Sequence, residues 1–453
     1  MSALSGILAA FSFPKFNLFF LAWIALVPLL LEIKRAETPR KAARSGFIFG
    51  LVFFGINLFW INTLNEFAPV FATLGYIVLI IGESAFTAAA CFFIKYFDDR
   101  FPSLYILAAP LAWMFFEWLR MVGPFGISAG DLGYSQATFA PIVQIASFGS
   151  VFAVSFFIVF INCLIAEALR KNSPIKNILF AVIILALACW WGTSQIKANA
   201  PSKTLTVSII QGDIPQWKKL NAGYNEEVFS VHEALTRNVI DKNPDIIIWP
   251  ESVVLDYLLD NQNFMPRLKK LSADSKAYII TGTPYYDRRG HAYNSLVAIS
   301  PSGEVVGRYD KQRLVPFGEY LPFRFIFYPM LKWTNLFYDD FSFGPSDAQL
   351  ISVKGVKFGP AICFESTFPD LVRDRVKKGA DVLLTVTNDA WFRDSSAIYE
   401  HIIFGILRAV ENRKYFIQVG NTGISALIDP YGRIIERTKP NESAALTFKV
   451  PLP

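Results

Sequence analysis

Cysteine and histidine are scarce in this chain of 453 residues, with four of the first and three of the second. Three of the cysteines, Cys91, Cys163 and Cys189, lie in long apolar runs, which excludes a disulfide framework. His232, His291 and His401 are scattered, so a cysteine–histidine dyad or a metal site is a weak alternative. Charge is scarce too. Charged residues make up 18% against 53% hydrophobic, and Phe alone occurs 43 times, which is too apolar for an ordinary soluble enzyme. The net charge of +6 is spread out, with no basic patch interleaved with aromatics, so nucleic acid is not an expected partner.

The apolar residues are concentrated in residues 1–196. A spanning helix needs about 20 mostly apolar residues, and six runs qualify: 16–33, 43–63, 69–95, 104–122, 141–168 and 177–195. Residues 2–13 are a candidate seventh. No basic residue precedes that run and no small-residue cleavage site follows it, unlike a signal peptide. One set of loops holds Lys34, Arg35, Arg40, Lys41, Arg44, Lys95, Arg100, Arg170, Lys171 and Lys176; the alternate set holds Lys15 and Arg120. Basic loops favour the cytoplasm, so residues 197–453 are expected outside it. Glu83 and Glu117 fall inside apolar runs, where ionisable groups are costly. The reading preferred here is structural, with Glu83 on a polar seam and Glu117 paired to Arg120.

Residues 197–453 read as an α/β domain. Runs rich in Val, Ile and Thr at 205–211, 245–251, 277–283, 295–300, 358–365, 381–389 and 416–422 predict strands. Helical stretches fall at 224–241, 264–275, 367–378 and 398–413. Apolar strands alternating with helices imply sheets covered on their faces. The aromatic stretch 323–344 carries Phe325, Phe327, Tyr328 and Trp333, and Pro329 argues against a regular core element. It reads either as a buried loop or as an apolar cover between an active site and the bilayer.

This half contains one cysteine, Cys363, in the sequence GPAICFES. A lone cysteine is more often a small buried hydrophobe than a nucleophile, but its setting is informative. WPE delivers Glu251 at a strand end, GRYDKQRLVPFGEY delivers Lys311 and then Glu319, and AICFE delivers Cys363. Strand termini are where α/β domains build sites. A thiol needs a base to take its proton, a role Glu251 can fill if burial raises its pKa. An oxyanion needs a fixed cation and backbone N–H groups, roles that suit Lys311 and the N–H of Phe364.

In this order, WPE, K…LVPFGE and CFE resemble the Glu-Lys-Cys triad of the nitrilase, or carbon–nitrogen hydrolase, superfamily. With QGDIP, FEWLR…GYSQ, TNDAWF, HIIFGILRAVENR, NTGISALIDPYG and the multispanning half, the chain resembles the bacterial apolipoprotein N-acyltransferase family. The resemblance implies an α-β-β-α sandwich (197–453) on a bundle of six or seven transmembrane helices (1–196), in the bacterial inner membrane with the sandwich on the periplasmic side. It implies Cys363 as nucleophile, Glu251 as general base and Lys311 as oxyanion stabiliser, with Glu319 and Glu365 in support and no cofactor. The implied reaction is ping-pong: an acyl chain passes from a phospholipid, typically phosphatidylethanolamine, to a Cys363 thioester. The α-amine of a diacylglyceryl-cysteine at a lipoprotein N-terminus then receives it. A tethered amidase using water as acceptor is the alternative. Three departures stand out. Phe364 replaces a frequent tyrosine, Arg393 replaces a usual glycine, and the sequence ends at FKVPLP, leading to the expectation of a domain tethered at one end.

Overall fold

The computed structural model describes residues 1–170, 174–197, 203–254, 256–332, 340–347 and 349–452. Lys171 and Trp333 lie outside them. The chain divides into two compact units, Met1–Lys197 with Ser395–Glu411, and Ala198–Asp394 with Asn412–Pro453.

In the first unit, four helices are long and apolar enough to cross a membrane: Phe71–Arg100, Pro102–Arg120, Ala146–Arg170 and Ile175–Gln195. A fifth span counts if the pair Pro39–Asn57 and Phe59–Glu66, bent by 46°, is taken as one. By length and composition four or five helices among the described residues qualify, beside the six or seven expected. The run 16–33 is broken into Phe19–Leu21, Ala22–Ala25 and Val27–Arg35, with Pro28 near the start of the last piece. Backbone groups freed inside a bilayer must find partners, and side chains supply them. Asn162 Nδ2 donates to Ala22 O (2.8 Å), its Oδ1 accepts from Leu26 N (2.9 Å), and Ser5 Oγ accepts from Leu29 N (2.9 Å).

Arg120 does not pair with Glu117 as expected. Its partners are Glu83 (3.0 Å) and Asp131 (3.1 Å), while Glu117 accepts from Trp113 Nε1 and Leu132 N, both at 2.9 Å. The polar seam at Glu83 is thus a buried charge cluster. The helix Ala397–Asn412, expected in the α/β half, groups mostly with this unit. The helix Ala146–Arg170 is kinked at Gly149 and Ser150, and Glu411 accepts from Ser150 Oγ (2.7 Å) and Val151 N (3.1 Å) at that break. Arg408 holds Glu411 at 2.7 Å and donates to Tyr134 Oη at 3.2 Å.

The second unit contains two six-stranded sheets. Its strands are β1 Thr204–Gln211, β2 Ile246–Ile248, β3 Tyr278–Tyr286, β4 Ala292–Ile299, β5 Val305–Asp310, β6 Ile351–Val353, β7 Val356–Ile362, β8 Val382–Thr387, β9 Tyr415–Gly420, β10 Ala426–Ile428, β11 Ile434–Arg437 and β12 Ala444–Pro451. One sheet runs β12-β1-β2-β3-β4-β5 and the other β11-β10-β9-β8-β7-β6. Strand alternation sorts the side chains. Leu205, Val207, Ile209, Ile246 and Ile248 join Phe358, Val382, Leu384 and Ile417 in one core between the sheets. Ile210, Ile247, Ile279 and Ile299 join Phe229, Leu268 and Leu271 of helices Asn225–Arg237 and Phe264–Ser275 in another. This is the expected covered sandwich.

The aromatic stretch is more regular than Pro329 suggested. Arg324–Leu331 is helical with Pro329 inside it. Arg393 adopts φ 48°, ψ −148°, a conformation suited to the glycine it replaces.

Candidate active site

Three strand ends converge in the second unit. β2 stops before Pro250, which cannot donate to a ladder, and Glu251 follows. The turn packs tightly on β3: a Cβ on Gly282 would fall 2.6 Å from both Glu251 Cα and Ser252 N. Glycine alone permits that approach. β5 ends at Asp310, and Lys311 N donates to Asn294 O on β4 at 2.9 Å. Lys311 is buried at 1% exposure. Its Nζ lies 2.9 Å from Glu319 Oε1 and 3.5 Å from Glu251 Oε1. Asn294 Nδ2 donates to the same two oxygens, each at 2.8 Å. Glu319 Oε2 accepts from Val315 N at 2.8 Å, closing its own loop. Burial alone would lower the Lys311 pKa, but Glu319 and then Glu251 outweigh it and raise it, favouring the charged ammonium.

Cys363 follows β7 in the left-handed region at φ 51°, a strained conformation for a non-glycine residue. It opens the 3₁₀ turn Cys363–Thr367. Buried Glu365 fixes that turn. Its carboxylate accepts from Ile362 N (2.7 Å), Gln312 N (2.6 Å), Arg313 N (3.0 Å) and Tyr309 Oη (2.8 Å). It therefore ties the strand end carrying Cys363 to the loop carrying Lys311. Arg375 Nη2 donates to Tyr309 Oη at 2.9 Å from behind. Phe364 packs edge-on to Phe368, with centroids 4.9 Å apart.

Burial, and next the charge of Glu251, push the Cys363 thiol above its ordinary 9.0, and Lys311 offsets only part of this. The resting sulfur is a protonated thiol, so the arrangement suits a base-assisted nucleophile rather than a preformed thiolate.

Glu251, Lys311, Glu319, Cys363 and Glu365 are thus brought together, while Phe325, Phe327 and Tyr328 lie on the separate helix Arg324–Leu331. Phe325 is 79% exposed there, and Phe327 packs edge-on to Phe317 at 5.4 Å. Two polar residues were missed. Asn294 is a buried amide on β4, one residue ahead of the run expected as a strand, and nothing in the sequence marked it. Lys219, just after QGDIP, is buried and donates to Glu251 O at 2.9 Å. Burial draws its pKa down to about 8, against the opposing pull of Glu251.

Residues 206–453 match the carbon-nitrogen hydrolase family, which gives the class of this two-sheet α/β unit. Residues 5–164 match the apolipoprotein N-acyltransferase N-terminal domain. An apolipoprotein N-acyltransferase of Geobacter metallireducens is 34% identical over 100% of this chain and 89% of its own length. One of Pasteurella multocida is 30% identical over 98% and 88%. A crystal structure of a carbon-nitrogen hydrolase from Helicobacter pylori G27 covers 55% of this chain and 89% of its own at 14% identity, with TM-score 0.43. The chain belongs to the apolipoprotein N-acyltransferase family. It is an acyltransferase and a multi-pass membrane protein.

Proposed function

We propose that the protein transfers an acyl chain from a membrane phospholipid, by way of a Cys363 thioester, to the α-amine of the diacylglyceryl-cysteine of apolipoproteins. The observation that carries this is the buried Lys311 cation between Glu251 and Glu319, electrostatically coupled to the Cys363 thiol. Glu251 takes the Sγ proton and the sulfur attacks the ester carbonyl carbon. Lys311 Nζ and the Phe364 N–H stabilise the oxyanion. Collapse breaks the ester C–O bond, and Glu251 returns the proton to the departing lysophospholipid alcohol. The acceptor amine then attacks the thioester carbonyl and loses its proton to Glu251. The C–S bond breaks, and Cys363 recovers the proton as a thiol. Glu319 and Asn294 hold Lys311 and Glu251 in place, and Glu365 holds the nucleophile turn.

Phosphatidylethanolamine is the donor favoured by the resemblance. The distribution of basic loops supports a bacterial inner-membrane location, with residues 197–453 as an extracytoplasmic catalytic half. Exposed Phe325, with Phe327 and Tyr328, supports an apolar cover for the acyl path.

The test is mass spectrometry of the Cys363 peptide after incubation with phosphatidylethanolamine vesicles, before and after adding a diacylglyceryl lipopeptide. An acyl adduct that disappears as N-acylated lipopeptide forms is expected. Cys363→Ala abolishes both products, and full activity in that variant would sink the mechanism. Release of free fatty acid alone would mean a hydrolase using the same three residues.

A further inference from the structure

Helices Phe71–Arg100 and Tyr105–Arg120 are joined by the short turn Pro102–Leu104. Near the joined ends they form an open groove of about 560 Å³ whose lining side chains are all Phe, Leu or Ala. Its walls include Phe93, Phe97, Leu111 and Phe115. Ala108 and Ala112, one turn apart, hollow its floor. The volume falls within the ~300–1,000 Å³ of small-ligand clefts.

A cation marks one end. Arg100 lies seven residues after Phe93 and three after Phe97, so it shares their helix face. The neighbouring basic groups are occupied: Lys34 pairs with Asp98, and Lys95 with Asp99 at 2.8 Å. Arg100 is exposed, with its guanidinium 4.7 Å from the Tyr96 ring centroid, and it forms no ion pair among the described residues. An apolar trough on two membrane-crossing helices, ending at a free interfacial cation, matches the two ends of a phospholipid.

We propose that this groove binds one acyl chain of an anionic glycerophospholipid whose phosphate pairs with Arg100. On the topology set by the basic loops, this lipid belongs to the cytoplasmic leaflet, so it is a resident lipid and not the acyl donor.

The test is native mass spectrometry of the full-length protein, equilibrated in detergent with dioleoyl phosphatidylglycerol or dioleoyl phosphatidylcholine. The wild type is expected to retain one tightly held phosphatidylglycerol. Ala108→Trp, which fills the floor, removes retention of either lipid. Arg100→Gln weakens phosphatidylglycerol retention about five-fold, the equivalent of the ~1 kcal/mol of one interfacial cation, and Arg100→Lys restores most of it. Acyl transfer from a soluble thioester donor stays at the wild-type rate in all three variants, which reports that they are folded. The proposal is overturned if the wild type retains no lipid, if Ala108→Trp retains it normally, or if Arg100→Gln leaves phosphatidylglycerol retention unchanged.

Discussion

Replacing Lys311 with methionine deletes the charge and leaves an unbranched side chain one atom shorter. The ammonium is 2.9 Å from one carboxylate and 3.5 Å from another, at 1% exposure. At an effective dielectric of about 20, each contact is worth about 5 kcal/mol of gross attraction before desolvation is counted. Removing one partner from a buried ion pair typically costs about 3–5 kcal/mol net. Lys311→Met should therefore lower the melting temperature clearly, and its acylation rate should fall about 100- to 1,000-fold as an oxyanion stabiliser is lost. Two carboxylates would then face each other without the cation between them, and that repulsion is the source of the loss. In the wild type the Lys311 contribution stays constant through neutral pH, because its raised pKa keeps the charge below and beyond 10.5. Adding Glu319→Gln removes the surplus charge and should restore stability but not rate. Rapid-mixing measurement of acyl-enzyme formation, beside thermal unfolding in detergent, separates the two effects. If the double variant regained wild-type acylation, Lys311 would be only a counter-ion and the oxyanion assignment would be refuted.

Gly282→Ala places a Cβ 2.6 Å from Glu251 Cα; displacing the base should cut kcat by roughly 100-fold with little change in donor affinity, and an unaltered kcat would refute the placement. Because the Cys363 pKa is raised, its alkylation by iodoacetamide should climb about tenfold per pH unit with no plateau below pH 9.0; a plateau near neutrality would mean a resident thiolate. Replacing Phe325 and Phe327 with serine should slow loading from vesicles while a soluble short-chain thioester donor reacts normally. Equal loss on both donors would exclude the cover.

Glu251 and Cys363 were legible because each ends an apolar run, Ile246-Ile247-Ile248-Trp249 and Ala361-Ile362, while Lys311, after the charged Arg308 and Asp310, was legible only through the order of the three motifs. Lys219 and Asn294 were not, since an isolated lysine or asparagine looks solvated until tertiary packing buries it. Strands β6 and β10 have three residues each and β11 four, too few for alternation to register. Hydropathy also gave no sign that the run 16–33 is broken into short helices. It measures apolar content and is blind to Asn162, which satisfies the broken backbone from another helix. The Arg120 partners were missed for a related reason. Sequence spacing suggested Glu117 one turn away, but Glu83 and Asp131 come from other segments.

The charge count of the cluster gives a reason for the proposed base and the proposed oxyanion stabiliser to stand together. Counted by formal charge, Glu251, Glu319 and Lys311 sum to one net negative charge, with the sulfur neutral. On the proposed assignment, proton transfer from Cys363 to Glu251 leaves the total unchanged and moves the negative charge onto sulfur. Glu251, now neutral, no longer competes for the lysine field, while Glu319 at 2.9 Å still anchors the ammonium. The cation is therefore least compensated when charge is passing to the substrate oxygen, so its stabilisation is stronger in the transition state than in the resting site. Asn294 supports the same change, because its amide contacts Glu251 and Glu319 at equal 2.8 Å distances and keeps both carboxylates in register as one gains a proton. A cation held by a single carboxylate would be partly neutralised throughout the reaction. Held by two, one of which is the proposed base, it would be released in step with the bond-making it assists.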